Sequence, residues 1–247
     1  MSAGAAAVLT LIFVFASPPA AGETIRYCFN DWPPYATMAQ GYPSGISVRI
    51  LSEASRRAGY DSAFTELPWK RCLLWVSQGK QDAVIDAAAR DEYIQGPTSF
   101  SVYTNTFWVR RGDRLDAPDA ALLGSRILGL VSGYTYGDRL EREIVAAGIT
   151  VDFAADDQKN ANKLARGRVD AIIGDFVSTQ LYAGREILDL VPVLPHHSFD
   201  RLYPSFNRNS GNMQRRVDAA LAEMIADGFV DRVYRETVGL GYSDIMP

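Results

Sequence analysis

The segment Gly79-Lys80-Gln81-Asp82-Ala83-Val84-Ile85-Asp86 returns later in the chain as Gly167-Arg168-Val169-Asp170-Ala171-Ile172-Ile173-Gly174-Asp175. In each copy a helix-like pattern ends at a glycine suited to the left-handed position after a helix. A short apolar run suited to a buried strand follows, and an aspartate closes it. The chain therefore builds one α/β device twice. In open α/β sheets ligands sit beyond the carboxyl ends of the strands, so Asp86 and Asp175 are expected at corresponding edges of two separate sheets. Two such edges facing each other make a cleft.

At 247 residues and 47% hydrophobic content the chain is long and apolar enough for two cored domains. The net charge is -4 and the basic residues are scattered, which excludes the electrostatic footprint of a nucleic-acid binder. Residues 1–22 carry no charged side chain, and their apolar run from Ala5 to Ala16 is short for a bilayer span and suited to a secretory signal core. Small residues at Ala20, Ala21 and Gly22 offer a cleavage site before Glu23, although no Lys or Arg precedes the apolar run. An uncleaved anchor is the alternative. Export to an oxidising compartment permits a disulfide between the two cysteines, Cys28 and Cys72, and two buried free thiols remain an equal reading.

Strands are expected at Thr24–Phe29, Ala63–Leu67 and Ala83–Ile85, with helices at Val48–Ala58 and Pro68–Gln78 between them. This β-α-β-α-β order favours a mainly parallel sheet with right-handed crossovers. Asn105–Arg110 reads as a strand crossing into a second lobe. There Ile127–Val131, Thr150–Phe153 and Val169–Ile173 alternate with helices at Tyr136–Ala147, Asp157–Ala165 and Phe176–Tyr182. Leu188–Leu194 and Pro195-His196-His197 lead back. From Asn212, Met213, Val217, Leu221 and Met224 form one helical stripe, and a second short helix follows Gly228. These tail helices are expected to pack on the first lobe, giving residues 23–109 with 199–247 as one lobe and 110–198 as the other.

Val131-Ser132-Gly133-Tyr134-Thr135-Tyr136 joins a strand to a helix, where unpaired amides and the helix dipole can hold a carboxylate. Ser132 and Thr135 can equally be plain helix caps. Asp86 and Asp175 can each accept hydrogen bonds from an ammonium group, or cap the next helix. Asp31, Trp32, Tyr35 and Trp69 stand in loops or helix starts at the same edge, where aromatic faces suit an organic ligand or a cation. Arg90 can pair with a ligand carboxylate or with Asp91 or Glu92. With two adjacent histidines, His196 and His197, no metal-ligand spacing and no Gly-x-Ser-x-Gly elbow, catalytic sets are thin and no metal or cofactor is expected.

From about Thr24 to Val238 the chain resembles the amino-acid-type periplasmic solute-binding proteins that feed ABC importers. The resemblance lies in Trp32-Pro33-Pro34-Tyr35, Pro68-Trp69, Gly79-x-x-Asp82-Ala83, Ser132-Gly133-x-Thr135-Tyr136, Gly167-Arg168-x-Asp170-Ala171 with Asp175, and Ala226-Asp227-Gly228. It implies two α/β lobes joined by two hinge strands, closing on a small ligand. Thr135 would grip a carboxylate, Asp175 an ammonium, and Trp69 would pack on the ligand. It also implies a periplasmic monomer without cofactor, serving an inner-membrane ABC permease. The chain departs from the family where the first Asp-Ala strand is usually followed by small hydroxyl residues and an arginine. Asp86, Ala87 and Ala89 stand at the hydroxyl positions and Ile94 at the arginine, with Arg90 four residues earlier as substitute. A few members of this fold are enzymes, including dehydratases of cyclic acids, and others are sensory modules, so both classes stay beside import as alternatives.

Overall fold

The computed structural model describes residues 23–246; the expected signal segment, residues 1–22, and its cleavage site lie outside the described residues. The chain runs β1 (Thr24–Phe29), β2 (Thr37–Ala39), β3 (Tyr42–Ser44), α1 (Ile46–Arg57), β4 (Asp61–Glu66), α2 (Trp69–Ser77), β5 (Ala83–Ala87) and β6 (Ser101–Arg110). After a 3₁₀ turn at Ala120–Leu123 come β7 (Ile127–Val131), α3 (Gly137–Ala146), β8 (Thr150–Ala154), α4 (Asp157–Ala165), β9 (Ala171–Gly174) and α5 (Phe176–Glu186). The long strand β10 (Leu190–Phe206) and the helices α6 (Gly211–Ala226), α7 (Phe229–Val238) and α8 (Tyr242–Ile245) complete it.

The strands form a ladder in the order β4-β1-β5-β10-β6-β9-β7-β8. Its two outer triplets, β4-β1-β5 and β9-β7-β8, are parallel, as the alternating elements predict. The expected two separate sheets are instead continuous through β6 and β10, which pair antiparallel with each other. β10 then pairs with β5 at Tyr203–Phe206, and β6 with β9 at Thr106–Trp108. Both strands are longer than their apolar runs suggest. β6 starts at Ser101 because its polar Ser101, Thr104 and Asn105 are buried in the joint rather than exposed beyond it. Register slips between Val193 and Ser198, where Pro195 lacks a ladder donor, and His196 and His197 leave in different directions. His196 Nδ1 meets Thr106 Oγ1 at 2.8 Å, and His197 Nε2 meets Glu143 Oε2 at 2.6 Å.

The duplicated motif has a local physical logic. Gly79 and Gly167 take φ of +71° and +68°, and a Cβ on either would meet nothing within 4 Å, so the demand is for the left-handed backbone and not for space. The aspartate three residues on clamps the first strand of its own half. Asp82 Oδ2 accepts the Arg26 amide at 2.8 Å and Asp170 Oδ2 accepts the Ile127 amide at 2.8 Å. The Arg26 guanidinium adds bonds to Asp82 at 2.9 and 2.8 Å. Cys28 on β1 and Cys72 on α2 are bridged, with Cα atoms 5.7 Å apart, tying α2 to the sheet beside buried Trp69 and Val84.

The apolar stripe of α6 buries Val217, Leu221 and Met224, and α7 buries Val230, Val233 and Tyr234, in the same core as Ile46, Ile50 and Leu51 of α1. Arg57 of α1 pairs with Asp227 at 2.6 Å. The tail thus returns to the first half of the chain.

Because each aspartate satisfies a strand amide, Asp82→Ala and Asp170→Ala should each lower stability by about 1–3 kcal/mol in chemical denaturation. Ligand affinity should change little in either; a loss of affinity without loss of stability would contradict the clamp.

Candidate functional site

A narrow cleft, with about 30 Å³ of free space between its walls, lies where the two halves meet. Its first side is built by the end of β1 (Phe29, Asn30), the following loop (Trp32), the start of α2 (Trp69), the end of β5 (Ile85, Asp86) and the next loop (Arg90). The hinge strands supply Tyr103 from β6 and Asp200 and Leu202 from β10, and Tyr134 and Thr135 face them from the β7–α3 turn.

The two sides touch through Gly133. Its carbonyl accepts the Trp69 indole N–H at 2.9 Å and Arg90 Nη2 at 2.6 Å. Gly133 has φ +85°, which favours glycine, and a Cβ there would meet Trp69 and Lys70 tightly at 3.3 Å. The Asn30 amide donates to the Tyr134 hydroxyl at 3.2 Å, which donates to Asp157 Oδ2 at 2.8 Å, while the Tyr103 hydroxyl donates to Asp157 Oδ1 at 3.1 Å. Asp157 is 2% exposed, and burial pushes its carboxyl up to about 7.

Four buried polar atoms that line this one cleft lack a protein partner: Trp32 Nε1, Asp86 Oδ2, Arg90 Nε and Thr135 Oγ1. An orphaned buried donor or acceptor costs about 1–3 kcal/mol; outside the cleft Gln81 Oε1, Ser101 Oγ, Asn105 Oδ1, Asn160 Oδ1 and Ser178 Oγ share this condition. Asp86 holds φ +55°, unusual for a residue with a side chain. The Ser47 hydroxyl donates to its Oδ1 at 2.8 Å, and burial pushes the carboxyl up to about 7. Thr135 does not cap α3: the cap position belongs to Tyr136, which makes no side-chain cap bond.

Of the residues singled out by sequence, Trp32, Trp69, Asp86, Arg90, Tyr134 and Thr135 come together on the cleft wall. Asp31, Tyr35, Ser132 and Asp175 do not line it. Asp31 accepts the Thr37 hydroxyl at 2.5 Å and anchors the β2–β3 hairpin, and Tyr35 is 1% exposed, stacked on Trp32 at 4.0 Å. Ser132 is half-buried in the β7–α3 turn, its amide donating to the Ala154 carbonyl at 2.8 Å. Asp175 is wholly buried as the N-cap of α5. Its Oδ1 accepts the Ser178 amide at 2.9 Å, and its Oδ2 accepts the Thr104 amide and hydroxyl at 3.1 and 2.9 Å. The two repeated strand ends thus meet different fates. Sequence reasoning passed over Asn30, Tyr103 and Asp200; Asn30 adjoins the Asp31 it chose, whereas Tyr103 and Asp200 sit in hinge segments that carried no apolar signal.

The sequence pattern of the bacterial extracellular solute-binding proteins, family 3, matches residues 25–239, and the chain belongs to that family. Among curated proteins no sequence matches it. Solved structures of similar fold include a histidine kinase sensor domain with similarity to periplasmic binding proteins (TM-score 0.79, 17% identity, covering 89% of this chain and 96% of that one). The arginine-, lysine-, histidine-binding protein of Geobacillus stearothermophilus is another (0.76, 18%, 89% and 96%). A third is an ancestral amino acid-binding protein, a precursor of cyclohexadienyl dehydratase (0.73, 17%, 87% and 94%). At these identities the likeness establishes the two-lobed fold alone.

A carboxyl with a raised native pKa keeps its proton longer in the folded than in the unfolded chain. Its contribution is therefore present at low pH and is lost as pH rises through about 4 to 7. Asp86→Asn retains an acceptor for Ser47 and removes that charge. It should raise the melting temperature at pH above about 7 and change it little below about pH 4. A variant less stable at both ends would show that the Asp86 carboxylate supports the fold.

Proposed function

We propose that this protein is an exported solute-binding protein that captures a small polar, amino-acid-like ligand between its lobes and presents it to an ABC importer of the inner membrane. The observation that carries this reading is the convergence of Trp32 Nε1, Asp86 Oδ2, Arg90 Nε and Thr135 Oγ1 on a cleft whose sides already meet at Gly133. The ligand would supply the partners those atoms lack. A shift from mostly open to mostly closed lobes asks for about 5.5 kcal/mol of differential binding, within reach of several charge-assisted hydrogen bonds. Arg90 Nε and the Thr135 hydroxyl are the donors for a ligand carboxylate, and Trp69 and Trp32 the aromatic walls. The lobes comprise residues 23–109 with 199–247, and 110–198, with the hinge in β6 and β10; the working form is a monomer in the periplasm. Among the described residues no helix is long and apolar enough to cross a membrane.

A second reading rests on Asp86 alone: a free carboxyl oxygen in a cleft, with a pKa pushed up to about 7, has the properties of a general acid or base. Turnover of a bound cyclic acid, lost in Asp86→Asn, would favour an enzyme.

Arg90→Ala and Thr135→Ala should each weaken ligand binding by about tenfold or more in calorimetry. The ligand is found first by a thermal-shift screen of amino acids, amines and small organic acids. Unchanged affinity in both variants would contradict the site.

A further inference from the structure

Resting on the solute-capture reading, we propose that Asp157, which does not line the cleft, is a positioning residue for closure: as a carboxylate it turns the Tyr134 hydroxyl so that its oxygen can receive Asn30 from the opposite lobe. Asp157 opens α4, which is pinned to the sheet by Asn160, whose amide donates to the carbonyls of Gly129 in β7 at 3.2 Å and Ile173 in β9 at 3.4 Å. The carboxyl therefore stands at a fixed place. Two phenols reach it from different directions, Tyr103 from β6 in the joint and Tyr134 from the β7–α3 turn. Both rings line the cleft and meet the first half directly: Tyr103 stacks on Trp32 with centroids 5.8 Å apart, and Tyr134 stands edge-on to Trp69 at 5.6 Å. One buried acid thus holds, by their hydroxyls, the two rings that face the cleft tryptophans.

A carboxylate has no hydrogen to give, so both phenols must act as donors to it. That spends the single hydroxyl hydrogen of Tyr134 on Asp157 Oδ2 at 2.8 Å and leaves its oxygen to accept the Asn30 amide at 3.2 Å. The bonds form one directed relay, from Asn30 to Tyr134 to Asp157, with Tyr103 filling the other carboxyl oxygen at 3.1 Å. A proton on Asp157 would put three hydrogens where two contacts exist. One phenol then loses its acceptor, and a Tyr134 hydrogen turned away from Asp157 points at the amide that its oxygen has to receive.

The groups that face Asp157 are Tyr103 of β6, Tyr134 and Tyr136 of the β7–α3 turn, Tyr182 and Asp175 of α5, and Asp156 beside it in the chain. Burial holds all four phenols above their ordinary range, so they stay neutral. Asp156 is paired with Lys159, and both oxygens of Asp175 are engaged by Thr104 and Ser178. Burial, with the nearby carboxylates of Asp175 and Asp156 adding to it, pushes Asp157 up to about 7. The relay needs the carboxylate, so its support for the closed form is present above about pH 7 and is lost as pH falls below it.

The test uses solute-free protein with spin labels at Tyr42→Cys and Ile187→Cys, exposed positions in opposite halves, and reads the ratio of short to long interlabel distances by pulsed electron resonance. From about pH 8 to about pH 6 the closed-to-open ratio should fall about threefold or more. Asp157→Asn, in which one carboxyl acceptor becomes a donor, should show the low ratio at both pH values. Tyr134→Phe, which keeps the ring and removes the relay, should do the same, and it carries the test should Asp157→Asn fail to fold. Asn30→Ala should lower the ratio at about pH 8 in the wild-type background and change it little in Tyr134→Phe. A wild-type ratio that does not move with pH, or a single distance at every pH, would overturn the proposal. A pH dependence that survives Asp157→Asn or Tyr134→Phe would overturn it too. Solute capture has its own test and fails separately, if no amino acid, amine or organic acid raises the melting temperature.

Discussion

Two antiparallel strands carry the whole arrangement. β6 and β10 pair with each other along most of their length, and each then hands over to a parallel triplet on its own side. Strands bonded to both halves can twist without losing their ladder, whereas loops in their place would let the halves drift apart. The buried polar run Ser101, Thr104, Asn105 and Thr106 gives this joint its character. Thr104 holds Asp175, Thr106 holds His196, and Asn105 holds Ser198 and Asp200, so hydrogen bonds fix the crossing together with the buried apolar side chains of Val102, Phe107, Val109 and Leu202. The cleft is the space directly beside it.

Polar groups are treated in two opposite ways in this molecule. Four aspartates that do not line the cleft are satisfied: Asp82 and Asp170 take strand amides, Asp175 caps a helix, and Asp157 receives two phenols. Four cleft residues keep a buried polar atom unpaired, as do Gln81, Asn160 and Ser178 elsewhere, and one of the four, Asp86, adds a left-handed backbone to a buried carboxyl. Evolution of stability alone would remove such features, because each is costly and a neutral residue is always at hand. Those of the cleft sit beside the hinge, where the proposed ligand would meet them.

Much of the fold was legible in the sequence. β1 and β7 have the bounds that their apolar runs announce, and the helix after Pro68 and the break at Gly228 fall where proline and glycine chemistry puts them. The repeat announced the two parallel triplets because Gly79 and Gly167 need the same backbone and Asp82 and Asp170 make the same clamp. The hinge strands were cut short because their ends are polar: burial of Ser101 and Thr104 depends on partners distant in sequence, which periodicity cannot register. The β2–β3 hairpin escaped notice since its three-residue strands carry no apolar alternation.

The site was legible by residue type and less so by role. Trp32, Trp69, Asp86, Arg90 and Thr135 were found because they end strands or start helices at one edge. Asp175 satisfies the same rule and is buried as a cap, a difference set by Thr104 on a strand that pairs 71 residues away. The account stands or falls on relative movement of the lobes about β6 and β10, and small-angle scattering with and without a solute shown by calorimetry to bind measures it most directly. The account predicts a smaller radius of gyration in the bound state; profiles that superimpose at saturation would contradict it.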